Sequence, residues 1–192
     1  MTKLPIYICG FSGDGGQLWS GGFENWLRRL DLEDWADIDL YQDSGRNWRA
    51  PLIKTLALPS TQPIAGVGYS LGAWGAAWWA YYLRQQAPQR KIALIAGIDP
   101  AGRVAGLLGG LPNPKDWTIG RNVAKCFCVD VPMTSPVSWL FGGGKYVAAP
   151  DGPQIQFLTR AISDHIWIQA DAGIQATITS MLKAAYDAQP SQ

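Results

Sequence analysis

One histidine and three cysteines are all the imidazole and thiol side chains that this 192-residue chain offers a metal. The cysteines lack C-x-x-C spacing, so neither a zinc site nor a disulfide framework is expected. Cys9, Cys126 and Cys128 instead fall in apolar runs, where a reduced thiol acts as a small hydrophobe. Charge is scarce too: charged residues make up 16% of the chain and the formal net charge is +1. Arg28, Arg29, Arg84, Arg90 and Lys91 are scattered and form no basic stripe. The electrostatic footprint of a nucleic-acid binder is therefore missing, and no such partner is expected. Repeats and low-complexity tracts are absent as well. The first apolar run, Leu4–Cys9, meets Gly10 too soon to form a signal-peptide core, so the expected location is cytoplasmic.

One segment is long and uncharged. Ile64–Leu83 runs for twenty residues, about the length of a membrane span. Glycines and Ser70 interrupt its first half, however, and Trp74, Trp78, Trp79, Tyr81 and Tyr82 crowd its second half instead of forming interfacial belts. It reads as a buried strand followed by a buried helix, and no transmembrane span is expected.

What the chain does have is apolar mass and turns. Hydrophobic residues make up 47%, with 22 glycines, 13 prolines and ten tryptophans. This composition and length fit a single globular domain over residues 1–192. Leu4–Cys9, Ala36–Tyr41, Ile64–Tyr69, Lys91–Ile98 and Ala124–Val131 read as strands, with Ala36–Tyr41 nearer an edge. Phe23, Trp26, Leu27 and Leu30 fall at helical spacing with Arg28 and Arg29 outward. Further helices are expected near Arg49–Leu56, over Leu71–Gln86, and behind Asp171, where Ile174, Ile178, Met181 and Leu182 form a stripe. Strands alternating with helices imply an α/β fold: a three-layer sandwich whose mostly parallel sheet is covered on both faces. Ala101–Arg121 and Pro132–Arg160 do not fit this rhythm and read as long loops, which in compact domains are usually functional.

Gly68-Tyr69-Ser70-Leu71-Gly72 matches G-x-S-x-G. An apolar strand runs into it and an alanine-rich helix leaves it, the context in which a serine stands strained and exposed on a sharp turn. Serine is a weak nucleophile without a neighbouring base. His165 lies downstream, shortly before the last helix, where the chain order Ser…Asp…His places the base. The acid that orients it is Asp99 or Asp130, each ending an apolar strand; Asp151 reads as a turn, and Asp164 is too near His165 in sequence. Oxyanion donors are expected from the Leu71 N–H and, in the loop after the first strand, the Phe11 N–H. Gly142-Gly143-Gly144-Lys145 lacks the serine or threonine of a phosphate loop.

With these pieces placed, the chain resembles an α/β-hydrolase, specifically the neutral lipase branch. Gly10-Phe11 is similar to that branch's H-G-F loop, Gly68–Ala73 to its elbow G-H-S-L-G-A, and Gly97–Gly102 to its G-L-D-P-A-G. Thioesterase domains of peptide synthetases resemble it too, with their acid on the same strand. The likeness covers Pro5 to about Gly102, and beyond that only His165 carries over. Cys9 and Tyr69 stand where the lipase motifs have histidine, and no disulfide-bearing lid is present. The resemblance implies a minimal α/β-hydrolase fold and selects Asp99 as the acid, although most other α/β-hydrolases would favour Asp130. It implies a serine esterase, lipase or thioesterase acting through an acyl-enzyme on a small or lipid-like ester. Tyr69, Leu107, Leu108 and Trp139 are the expected substrate contacts, and the greasy loops favour an apolar acyl group. No cofactor or metal is expected. The alternative is a non-catalytic domain of the same fold used for binding or assembly.

Overall fold

The computed structural model describes residues 3–13, 17–42, 48–101, 118–132, 144–160 and 164–189. Its first half alternates strictly: β1 (Ile6–Phe11), α1 (Gln17–Leu30), β2 (Ala36–Tyr41), α2 (Arg49–Ala57), β3 (Ile64–Tyr69), α3 (Leu71–Gln86) and β4 (Leu94–Ile98). There follow β5 (Thr118–Ile119), β6 (Cys126–Asp130), β7 (Val147–Ala148), β8 (Ile155–Thr159) and α4 (Ala172–Asp187). Six strands form one sheet in the order β2-β1-β3-β4-β6-β8, and every neighbouring pair is parallel. β5 and β7 pair separately, also in parallel.

The period of two along each strand divides the core between the faces of the sheet. Ile6 and Ile8 of β1, Ala65, Val67 and Tyr69 of β3, and Leu94, Ala96 and Ile98 of β4 point to the side covered by α1 and α4. Tyr7, Cys9 and Phe11, with Ile64 and Ile95, point to the side covered by α2 and α3. The stripe read in α1 is its buried face: Phe23 and Leu27 are fully buried, whereas Arg28 and Arg29 are exposed. Burial of one such side chain contributes about 1.5–3 kcal/mol. On the opposite face the Trp79 indole N–H donates to Thr55 Oγ1 at 3.1 Å, and that hydroxyl donates to the Pro51 carbonyl at 2.7 Å, fastening α2 to α3. In α4, Asp171 caps the helix by accepting the Ile174 N–H at 3.0 Å.

The uncharged run of Ile64–Leu83 is thus β3 followed by α3, and no helix of the described residues is long and apolar enough to cross a membrane. The cysteines are free and buried on the α3 side. Burial pushes the Cys128 thiol up to about 12 and the Cys9 and Cys126 thiols further, so all stay protonated. No cluster of potential metal ligands occurs among the described residues.

Both loop expectations are corrected: Ala101–Arg121 carries β5 at Thr118–Ile119, and Pro132–Arg160 carries β7 and β8. Pro132–Arg160 is not loop throughout: Ile155–Thr159 forms β8, which pairs with β6 from Cys126↔Ile155 to Asp130↔Thr159 and closes the sheet. As an edge strand it exposes Gln156, Phe157 and Thr159 and shows no clean alternation of burial.

Candidate active site

The serine stands on a turn whose flanking residues have no room for side chains. β3 ends at Tyr69, α3 begins at Leu71, and Ser70 between them adopts φ 55° and ψ −123°. This left-handed backbone costs a non-glycine residue about 1–3 kcal/mol. The turn closes only because its flanking positions are bare. A Cβ on Gly68 would lie 2.5 Å from the Ala73 Cα, and one on Gly72 would lie 2.0 Å from the Phe11 carbonyl oxygen. The G-x-S-x-G spacing is therefore a packing requirement between strand, helix and the neighbouring strand β1.

The register of the sheet brings Asp99 to the same edge. Tyr69 is paired with Ile98, so Ser70 and Asp99 leave adjacent strands side by side, and the Ser70 N–H donates to the Ile98 carbonyl at 3.0 Å. Asp99 is fully buried and also has positive φ, 41°. His165 enters from the turn between β8 and α4. Its Nε2 lies 2.9 Å from Ser70 Oγ and its Nδ1 lies 2.6 Å from Asp99 Oδ2. With a carboxylate accepting at Nδ1, that nitrogen carries the proton and Nε2 offers its lone pair to the hydroxyl. His165 is 2% exposed, so this relay is shielded from bulk water. The rival acid is otherwise engaged: Asp130 lies 2.8 Å from Lys145 Nζ, and the pairing raises the lysine pKa.

Two expectations shift. The ladder that begins with the Tyr7 N–H donating to the Pro63 carbonyl continues through Phe11↔Gly68, which directs the Phe11 N–H into β3. The Ser12 N–H donates to the Tyr41 carbonyl at 3.1 Å. Phe11 is thus a sheet residue, with its ring buried against Trp79, and not an oxyanion donor. The loop residue lying against Ser70 is Gly13, whose Cβ position would be 3.6 Å from Ser70 Oγ. Leu71 opens α3, and first-turn N–H groups have no intrahelical acceptor. Tyr69, expected to face substrate, is 1% exposed on the α1/α4 side, and its hydroxyl donates to the His165 carbonyl at 2.7 Å. The period of two in β3, which puts Tyr69 with Ala65 and Val67, is the signal that locates it. Leu107, Leu108 and Trp139 lie outside the described residues.

No family model and no curated protein matches the chain. Solved structures do. ClbQ from the colibactin NRPS/PKS pathway superposes with a TM-score of 0.59 at 10% identity, covering 94% of this chain and 98% of its own. The RedJ thioesterase of the prodiginine pathway in Streptomyces coelicolor gives 0.55 at 14%, covering 93% and 85%. A fungal esterase from Rhizomucor miehei gives 0.59 at 14%, covering 96% and 76%. The fold is that of the α/β-hydrolases. Open parallel sheets bind ligands beyond the carboxyl ends of their strands, and Ser70 and Asp99 both stand there. Identities this low carry the fold and leave chemistry to be argued from the site.

Proposed function

We propose that this protein is a serine hydrolase that cleaves carboxylic ester or thioester bonds through an acyl-enzyme on Ser70. The observation that carries the reading is the continuous relay from Ser70 Oγ through His165 to Asp99, at 2.9 Å and 2.6 Å. Ser70 Oγ attacks the substrate carbonyl carbon while His165 Nε2 takes its proton. Asp99 keeps the imidazole in the accepting tautomer and stabilises the imidazolium. The carbonyl oxygen becomes an oxyanion beside the first turn of α3, where the Leu71 N–H and the Gly13 N–H are the donors we assign. The tetrahedral intermediate collapses, the C–O or C–S bond breaks, and the leaving group departs with the proton from Nε2. Water then repeats the sequence: His165 takes its proton, hydroxide adds to the acyl carbon, and Ser70 leaves with the proton restored.

No step calls on a metal or a cofactor. The preference for an apolar acyl group rests on the leucine- and tryptophan-rich segments 102–117 and 133–143. The backbone strain at Ser70 favours catalysis over a purely binding role, because a binding surface has no need of a serine aimed at an imidazole.

The test is turnover of p-nitrophenyl esters of graded chain length, together with labelling by a fluorophosphonate. Wild type is expected to label at Ser70, and Ser70→Ala and His165→Ala are each expected to remove nearly all turnover. Folded wild type that neither labels nor hydrolyses any ester would leave the binding-module reading in its place.

A further inference from the structure

We propose that Tyr69 is a positioning residue for His165, holding the imidazole through the carbonyl of the histidine's own peptide. The inference rests on the catalytic reading above and concerns what fixes the base, which belongs to neither a strand nor a helix.

The turn that carries His165 is shaped locally. The Trp167 and Ile168 N–H groups both donate to the Asp164 carbonyl, at 3.0 Å and 2.9 Å. These bonds fix the form of the turn but not its place relative to Ser70. That place needs a contact from the sheet, and Tyr69 supplies it. Its hydroxyl donates to the His165 carbonyl at 2.7 Å, and its ring lies against the imidazole with centroids 5.5 Å apart and planes tilted by 29°. Tyr69 is itself rigid, being the last residue of β3, paired with Ile98 and packed against Phe23 at 6.2 Å. Burial, reinforced by the Asp99 and Asp164 charges, raises the phenol above its ordinary pKa, so it remains a donor at neutral pH.

The geometry has a specific consequence. Nucleophile and base are tied to consecutive residues of one strand end, with the Ser70 side chain meeting the imidazole and the Tyr69 side chain meeting the peptide behind it. Because the bond goes to the backbone carbonyl, both ring nitrogens stay available, Nε2 for Ser70 and Nδ1 for Asp99.

The test is Tyr69→Phe, which keeps the ring, its stacking and its packing and removes only the hydroxyl. Normalised to folded protein, kcat for a p-nitrophenyl ester should fall about tenfold with KM within about twofold, since loss of one hydrogen bond lets the base drift from its near-attack position. The low-field proton resonance of the His165–Asp99 hydrogen bond should broaden or shift in the variant. A purely structural role for Tyr69 would lower Tm but leave kcat and that resonance unchanged in the folded fraction, and this result would overturn the proposal. The resonance is read without substrate. Wild type that turns over no ester, paired with a variant whose resonance is disturbed, would refute the hydrolase reading and leave the positioning role standing.

Discussion

Asp99→Asn is the substitution whose effect follows most directly from the geometry. The carboxylate accepts the Nδ1 proton at 2.6 Å in a site where neither partner meets solvent. An asparagine has only two ways to sit there. With its amide nitrogen toward Nδ1, the imidazole must adopt the other tautomer, and Nε2 then presents a proton to Ser70 and cannot accept one. With its oxygen toward Nδ1, the tautomer survives but the imidazolium of the transition state loses its anion. Two unit charges about 4 Å apart at an effective dielectric of about 20 attract by about 4 kcal/mol. That is about three powers of ten in rate, and the tautomer effect in a triad reaches about four. The expected loss in kcat is therefore about 10³- to 10⁴-fold, measured by p-nitrophenyl ester hydrolysis on protein shown to be folded by circular dichroism. Asp130→Asn, made in parallel, breaks only the ion pair with Lys145 and should stay within about threefold of wild type. An Asp99→Asn enzyme within tenfold of wild type, or an Asp130→Asn enzyme equally impaired, would refute the assignment of the acid.

The elbow gives a stability prediction with an internal control. Gly72→Ala forces a Cβ to 2.0 Å from backbone, which cannot yield as a side chain can, so urea melts should show a loss exceeding about 3 kcal/mol. Gly21→Ala, on α1 with nothing within 4 Å of the new Cβ, should instead stabilise by about 0.5–1 kcal/mol. The buried thiols predict an alkaline limb. Their folded pKa values lie above the ordinary thiol value of 9.0, so their contribution is complete below that pH and is lost as pH rises towards about 12, where Cys128 titrates when folded. Each thiol adds up to about 1.4 kcal/mol per pH unit to the slope in that window. Cys128→Ala should flatten the slope by one share, and native protein at pH 8 should resist iodoacetamide at all three cysteines; rapid alkylation of folded protein would contradict the burial.

Most of the architecture was legible because its strands are buried on both faces or alternate cleanly. Ala36–Tyr41, Ile64–Tyr69 and Leu71–Gln86 are strand, strand and helix over the very residues the pattern marks. Reading failed where a local signal had a tertiary cause. Gly10 reads as the end of the first strand, which makes Phe11 a loop residue with a free N–H. In the fold Gly10 sits inside β1, because the Leu27 and Leu40 side chains occupy the space a Cβ would fill, at 2.5 Å and 2.8 Å. The strand therefore runs on to Phe11, and the loop residue whose Cβ position lies against Ser70 is Gly13. β8 escaped notice for the opposite reason: an exposed edge has no need of an apolar pattern. For the site, residue types and order pointed to Ser70, His165 and two candidate acids, the likeness of Gly97–Gly102 to a lipase motif favoured Asp99, and the β3–β4 register sets that residue beside Ser70.

That register also accounts for where the backbone strain is concentrated. Among the described residues, Ser70 and Asp99 are the non-glycine positions with positive φ, and they are neighbours across β3 and β4. Each costs about 1–3 kcal/mol, and glycine would relieve either one. A turn selected only for folding would be expected to shed that cost. Glycine at either position would also delete the side chain that the strained backbone aims at His165, so strain and aim cannot be separated. The stability withheld at these two strand ends is recovered from the core beneath them, where β1, β3 and β4 are buried on both faces. A rigid parallel sheet can hold two strained residues side by side, and the imidazole of His165 is the group toward which both side chains converge.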